Sequence, residues 1–235
     1  YAAAKNSQTF QSAKGFKKIV LQTPHNGLLA SESIDGVSVK TEDLQSETVF
    51  NLPTVSKKRE IVRLLRKETA DEAISKFSKT MDVFGFTKGQ FSLIELLDSV
   101  LDITGPGDLT ISTWTASKAD LNNVLDFLNG AKVKSARFLL DFTFQRRQPE
   151  VAKRIRDVFG LESLRVTRNH AKFFAIGAEE RDWTVTCKTS MNLNQNPRFE
   201  DFDLSNNKPL YMFLNGLVDE LFQQTKIKAQ ACLNS

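Results

Sequence analysis

Residues 170–193 read HAKFFAIGAEERDWTVTCKTSMNL, and this stretch decides how the rest of the chain is interpreted. Two runs rich in β-branched and aromatic residues are separated by a polar tip at residues 179–182, which is typical of a β-hairpin. The segments before the hairpin alternate between strand and helix patterns: strands at 108–115, 134–144 and 161–168, and helices at 91–104, 117–129 and 149–160. The preceding segment FGFTKGQ, residues 84–90, contains two glycines and is interpreted as a loop. The chain is therefore predicted to be an α/β protein with a mixed, largely buried β-sheet flanked by helices.

The two ends of the hairpin carry the candidate functional residues. His170 and Lys172 are two apart, as are Ser190 and Asn192, so each pair is expected to face one side of its strand. If the strands pair through the tip, a histidine, an ammonium, a hydroxyl and an amide converge. Glu200 follows in the next predicted strand and could hydrogen-bond the ring of His170, which would fix its tautomer. This group of side chains could hold an anion and offers a nucleophile.

Composition narrows the functional classes. Hydrophobic residues make up 40% of the 235 residues and charged residues 26%, as in globular proteins. No apolar run approaches the roughly 20 residues of a membrane helix, and no secretory signal is visible at the start, so no membrane partner is expected. The two cysteines have no metal spacing, which favours free thiols in a reduced, cytoplasmic compartment.

The N-terminal part has a different character. Residues 1–54 lack a sustained hydrophobic period and are interpreted as an extended arm that could become ordered against a partner protein. Residues 55–80 show helical spacing and are predicted to be a helical linker, with Thr69 and Glu72 forming a capping box. The net charge of +4 comes from the first 80 residues, an excess that permits an anionic partner. The α/β domain is predicted at 81–235, with limited proteolysis leaving a folded fragment from about residue 80.

The hairpin resembles the phospholipase D superfamily. That family carries H-x-K, four further residues, an Asp, and then G-S-x-N, with an Asn/Glu segment downstream. Here H-A-K stands at 170–172, S-M-N at 190–192, and NPRFE supplies Glu200. The stretch at 86–115 is similar to phage-encoded members, and the resemblance covers about residues 81–228. Two positions depart from the pattern: Gly177 stands where the family has Asp, and Thr189 where it has Gly.

The resemblance implies a metal-independent phosphodiesterase, nuclease-like, that works through a phosphohistidine. Such chemistry needs two H-x-K motifs, and this chain has one, so the resemblance implies a homodimer with one His170 from each subunit. No cofactor and no metal are expected. If the chain is phage-encoded, the implied location is the host cytoplasm. Nucleic acid is the expected substrate, whether DNA or RNA.

Four arginines are candidates for contacts with a nucleic-acid backbone, although each singly is expected as a surface charge: Arg146, Arg147, Arg168 and Arg198. Two alternatives remain open beside the enzyme. The missing Asp favours a catalytically degenerate nucleic-acid-binding module, and the arm, which could contact a phage or host protein, favours a phage structural protein. Geometry is expected to place His170, Lys172 and Asn192 in one cleft, with Glu200 near the imidazole ring.

Overall fold

A computed structural model describes residues 57–63, 69–115, 118–193 and 196–233. In chain order the elements are β1 (Lys58–Arg63), α1 (Ala70–Ala73), β2 (Met81–Thr87), α2 (Leu93–Thr104), β3 (Gly107–Thr113), α3 (Lys118–Asn129), β4 (Val133–Asp141), α4 (Phe142–Arg147), α5 (Pro149–Phe159), β5 (Leu164–Thr167), β6 (Phe173–Ala178), β7 (Trp183–Thr189), β8 (Glu200–Asn206) and α6 (Lys208–Leu233). The predicted arm at residues 1–54 lies outside the described residues.

The described strands form one eight-stranded sheet in the order β1-β2-β8-β7-β6-β3-β4-β5. Pairing is parallel between β1 and β2 and along β3, β4 and β5, and antiparallel along β2, β8, β7, β6 and β3. The sheet is therefore mixed, and helices pack against it, which confirms the predicted fold class. None of the described helices is both long enough and apolar enough to cross a membrane.

The two faces of the sheet bury different clusters. Phe174, on one face, belongs to the large cluster that also holds residues of α1, α2 and α5. Phe173, on the other face, packs with Leu139 against side chains of α6: Leu214, Val218, Leu221 and Phe222. Full burial of a side chain of this size stabilises a fold by about 1.5–3 kcal/mol. Because neighbouring residues of β6 pack into different clusters on the two faces of the sheet, helices on both faces hold this strand in position.

Local sequence explains where several helices begin. Thr69 accepts a hydrogen bond from the backbone N–H of Glu72, whose carboxylate accepts one from the N–H of Thr69 in return. Ser92 and Glu95 form the same reciprocal pair at the start of α2. Each cap contributes about 1 kcal/mol. The predicted capping box at Thr69 is thus confirmed.

Two predictions about the N-terminal segment are wrong. Residues 58–63 are not helical; they form β1 and pair in parallel with β2, so the sheet begins before residue 81. Residues 84–87, interpreted as part of a loop, lie in β2. Gly85 misled the prediction, since its role is close packing: a Cβ there would lie 2.5 Å from the Phe202 ring.

Because of the directions of the strands, many strand ends and the segments that follow or precede them lie along one border of the sheet. The carboxyl ends of β2, β3, β4, β5 and β7 lie along the same border as the amino ends of β6 and β8, given the parallel and antiparallel pairings. We call this border the site edge. In open α/β sheets the carboxyl ends of parallel strands are the usual place for ligands, and all five candidate catalytic residues lie here.

Candidate functional site

His170 and Lys172 lie immediately before β6, side by side at the site edge. The Lys172 ammonium donates a hydrogen bond to the carbonyl oxygen of His170 at 3.0 Å. Its Nζ also lies 3.3 Å from Nδ1 and 3.4 Å from Nε2 of the same residue. Partial burial lowers the pKa of Lys172, while the negative charge of Glu200 opposes that shift. The ammonium is thus partly desolvated and has spare donor capacity for an anion.

The strand prediction for these two residues is wrong, and Asn169 explains the difference. β6 begins at Phe173 rather than at His170. The Asn169 amide nitrogen lies 3.0 Å from Ser112 Oγ and 3.1 Å from the carbonyl oxygen of Leu139, and its Oδ1 accepts from the N–H of Ala171 at 3.1 Å. This buried side chain therefore replaces ladder hydrogen bonds and holds the H-A-K segment against the ends of β3 and β4.

Ser190 and Glu200 form a second group, just after the end of β7 and at the start of β8. The Ser190 hydroxyl donates to Glu200 Oε2 and accepts from the N–H of Asp201 at 3.0 Å. Asn196 donates to the other carboxylate oxygen of Glu200 at 3.3 Å. The carboxylate is thus held by Ser190 and Asn196, and its charge acts on Lys172. The predicted contact between Glu200 and the His170 ring is not among the hydrogen bonds that these described residues make.

Thr189 and Asn192 complete the S-M-N segment. β7 ends at Thr189, so Ser190 and Asn192 lie beyond the strand and not on it as predicted. The Thr189 hydroxyl donates to the carbonyl oxygen of Asp201 and accepts from the N–H of Met191 at 2.9 Å. Asn192 is half-buried, and its Oδ1 has no hydrogen-bond partner among the described residues. A buried amide oxygen in that state is a ready acceptor for a donor on a ligand.

Gly177 is the position where the related pattern has an acid. A Cβ placed there would collide with the Tyr211 hydroxyl and lie 2.9 Å from Tyr211 Cζ. Tyr211 comes from α6 and fills the space that a carboxylate would need. The departure from the pattern is therefore built into the packing of α6 on the sheet.

Aromatic rings and arginines surround the two groups. The Trp114 ring lies 5.8 Å from the His170 ring, centroid to centroid, and the Arg147 guanidinium lies 5.2 Å from the centre of Trp114. Arg146 lies instead over Phe142. Arg168 follows β5 and Arg198 precedes β8, and both are exposed. Of the four candidate arginines, Arg147 is the one linked to His170 by ring contacts.

The supporting hydrogen bonds of Asn169 and Asn196 and the ring contact of Trp114 were not predicted from the sequence. Asn169 stands directly before H-A-K, and Asn196 belongs to the NPRFE segment, so proximity to the motif is the signal that could have found them. The other chemically notable residues lie elsewhere: His25 is outside the described residues, and Cys187 is buried, which raises the pKa of its thiol. Cys187 is thus a buried small hydrophobe, as expected.

No protein-family model matches the chain, and no curated protein matches it. Among solved structures, the chain is similar to the polyphosphate kinase from Porphyromonas gingivalis, with 13% sequence identity and a TM-score of 0.45. The similarity covers 64% of this chain and 26% of that chain, so it spans about a quarter of the larger protein. The residues of the site, and not these comparisons, carry the functional interpretation.

Proposed function

We propose that this chain is a metal-independent phosphodiesterase of the phospholipase D superfamily that cleaves nucleic acid as a homodimer. The observation that carries the proposal is the pairing of the His170 imidazole with the partly desolvated Lys172 ammonium at the site edge. A nucleophile beside a cation with free donors suits attack on a phosphate, whose charge increases as the reaction proceeds.

The proposed reaction has two steps. One His170 attacks phosphorus, so that a P–N bond forms while the P–O bond to the leaving group breaks, and a second imidazolium donates its proton to the leaving oxygen. Water then attacks phosphorus, the P–N bond breaks, and the water proton returns to the second imidazole. The net reaction is hydrolysis of one phosphodiester. Lys172 neutralises charge on the non-bridging oxygens in both steps.

The second imidazole must come from another subunit. The chain has two histidines, and His25 lies in a TPHNG segment without the H-x-K pattern. A two-fold homodimer would place two copies of His170 on opposite sides of one phosphorus. On this proposal the monomer is inactive, since it supplies a nucleophile without an acid.

The first experiment measures turnover of a chromogenic phosphodiester in the presence of excess chelator, followed by trapping of the phosphorylated protein under alkaline conditions, since a phosphohistidine P–N bond is stable in base and is hydrolysed in acid. The wild type is expected to turn over and to carry phosphate on histidine. His170→Ala should lose both signals, and the matched control His25→Ala should keep both. Loss of activity with chelator, or phosphate on His25, contradicts the proposal.

A subunit-mixing experiment tests the dimer. Excess His170→Ala subunits, refolded with wild type, should lower activity below the fraction of wild-type subunits present, because mixed dimers hold one histidine. Activity strictly proportional to that fraction, or a stable active monomer, contradicts the shared site.

A second candidate is a nucleic-acid-binding module without catalysis. The observation that favours it is Tyr211, which fills the space beside Gly177 where the related pattern has a carboxylate. On this alternative the protein binds nucleic acid with a strong salt dependence but never turns over. Binding measured against salt concentration, alongside the turnover assay, separates the two candidates.

A further inference from the structure

Two aromatic side chains at the site edge keep large exposed surfaces. Trp114 follows β3 and is 39% exposed, and Phe199 precedes β8 and is 60% exposed. Single exposed apolar side chains are common on protein surfaces and carry little meaning by themselves. These two differ because both lie beside the candidate phosphate site and both are supported from behind.

Each ring is held in a defined orientation. Phe199 stacks on Phe86 with centroids 5.0 Å apart and planes 9° apart, and Phe86 meets the edge of Phe84 at 5.2 Å. Trp114 lies against His170 and carries the Arg147 guanidinium. A ring that is fixed by its neighbours loses little conformational entropy when a ligand stacks on it.

The two rings lie on either side of the catalytic candidates. The sheet order β8-β7-β6-β3 places Ser190, just after the end of β7, and Lys172, just before the start of β6, between Phe199 and Trp114. Three strand spacings separate the outer strands, about 14 Å at roughly 4.8 Å per spacing. An extended stretch of single strand could span that distance with one base on each ring and a phosphate between them.

We infer that Trp114 and Phe199 are two base-stacking platforms that flank the scissile phosphate, and that the substrate is single-stranded nucleic acid. The inference rests on the proposed function for the position of the phosphate. Stacking on protein rings is independent of base identity, since every base has a π face. A duplex keeps its bases stacked on each other, so it cannot occupy both platforms. Arg147, next to Trp114, supplies a cation for the neighbouring phosphate.

The test compares oligonucleotides with and without bases. Affinity is measured by fluorescence anisotropy of a labelled single-stranded oligonucleotide, an abasic strand of equal length, and a duplex, using His170→Asn protein, which removes the nucleophile but keeps a planar side chain against Trp114. Trp114→Leu and Phe199→Leu, each added to that background, are expected to weaken single-strand binding roughly tenfold, with little change for the abasic strand. Phe199→Tyr should restore binding, and Leu161→Ala, a change at an exposed apolar residue outside the site edge, should have no effect.

A second readout does not depend on those variants folding well. Trp183 is buried, so most quenching by a bound base should report on Trp114. Single-stranded oligonucleotide should quench tryptophan fluorescence, and inorganic phosphate or the abasic strand should not. Two results overturn the inference: equal affinity for duplex and single strand, or an equal loss of affinity for the base-containing and the abasic strand when Trp114 or Phe199 is replaced.

The two proposals fail in different ways. A protein that hydrolyses the chromogenic diester, yet binds abasic and normal strands alike, keeps the proposed function and loses the platforms. A protein that binds single strands with Trp114 quenching, yet never turns over, keeps the platforms and loses the catalytic step.

Discussion

The two halves of the candidate site differ in how completely their polar groups are satisfied. Ser190, Glu200 and Asn196 form a closed network in which the hydroxyl both donates and accepts and both carboxylate oxygens are engaged. His170 and Lys172 contact mainly each other, and the ammonium bears a desolvation cost. Groups with complete hydrogen bonds hold geometry, while groups with incomplete ones bind ligands. His170 and Lys172, which precede β6, form the β6 half of the site and are therefore expected to carry out the reaction. Ser190, Asn196 and Glu200, which lie between β7 and the start of β8, form the β7–β8 half and are expected to support it.

The largest expected effect is on kcat, which should fall much further when His170 is replaced than when Ser190 is replaced. His170→Ala should reduce kcat by at least about 10³-fold, because it removes the nucleophile. Ser190→Ala should reduce kcat by roughly tenfold or less and lower the free energy of unfolding by about 1 kcal/mol, since it breaks the contact with Asp201. Steady-state kinetics and chemical denaturation of both variants make the comparison. A Ser190→Ala loss as large as that of His170→Ala would erase the distinction between the halves.

The second-largest expected effect concerns Asn169, whose buried side chain holds the β6 half in position. Asn169→Ala should lower the free energy of unfolding by about 2–4 kcal/mol, because it leaves buried acceptors on Ser112 and Leu139 without their donor. It should also lower kcat more than it raises KM, since His170 loses its support without a lost substrate contact. Asn196→Ala, which removes a single hydrogen bond at the other half, is the control. Wild-type stability of Asn169→Ala contradicts the positioning role.

A smaller effect is expected at Lys172, where substitution should weaken phosphate binding without lowering the stability of the fold. Lys172→Met should weaken inorganic phosphate binding by about tenfold or more, because the site loses its cation. Its free energy of unfolding should stay equal or rise by a few tenths of a kcal/mol, discounted for solvent screening, because a partly desolvated charge is removed. Lys188→Met, on the neighbouring strand and paired with Asp203, serves as the matched control. A marked loss of stability in Lys172→Met would show that its bond to His170 is structural.

The smallest effect links the halves through charge. Glu200 raises the pKa of Lys172 against the lowering caused by burial, so Glu200→Gln should lower that pKa further. Because a lysine binds anions in its protonated form, the loss of phosphate affinity at high pH should begin at a lower pH in this variant. Phosphate titrations across the alkaline range measure the shift, and Glu150→Gln controls for net charge. An unmoved or upward shift contradicts the coupling.

The fold and the candidate site could be predicted from the sequence to different extents. Capping boxes and the hairpin tip are local signals, so the cap at Thr69 and the tip at residues 179–182 were predicted from the sequence. β1 was missed because its residues continue a helical spacing, and its strand state depends on pairing with β2. Asn169 is a long-range case: its partner at Leu139 is distant in sequence, so its role appears only when β3, β4 and β6 meet. Local patterns predict elements, and tertiary pairing decides which polar side chains become supports.

The connection of the strands also has a kinetic consequence. β6, β7 and β8 form a meander in which each strand pairs with the next one along the chain. The pairing of β2 with β8 instead joins Val83 to Leu204 and closes a long loop. Short loops close quickly and with a small entropic cost, so the meander that holds the whole H-A-K to Glu200 segment is expected to form early in folding. The pairing of β2 with β8 would then be the slow step, and substitutions at Val83 or Leu204, at the end of this pairing far from Glu200, would change the folding rate of the chain while leaving the side chains of the candidate site in place.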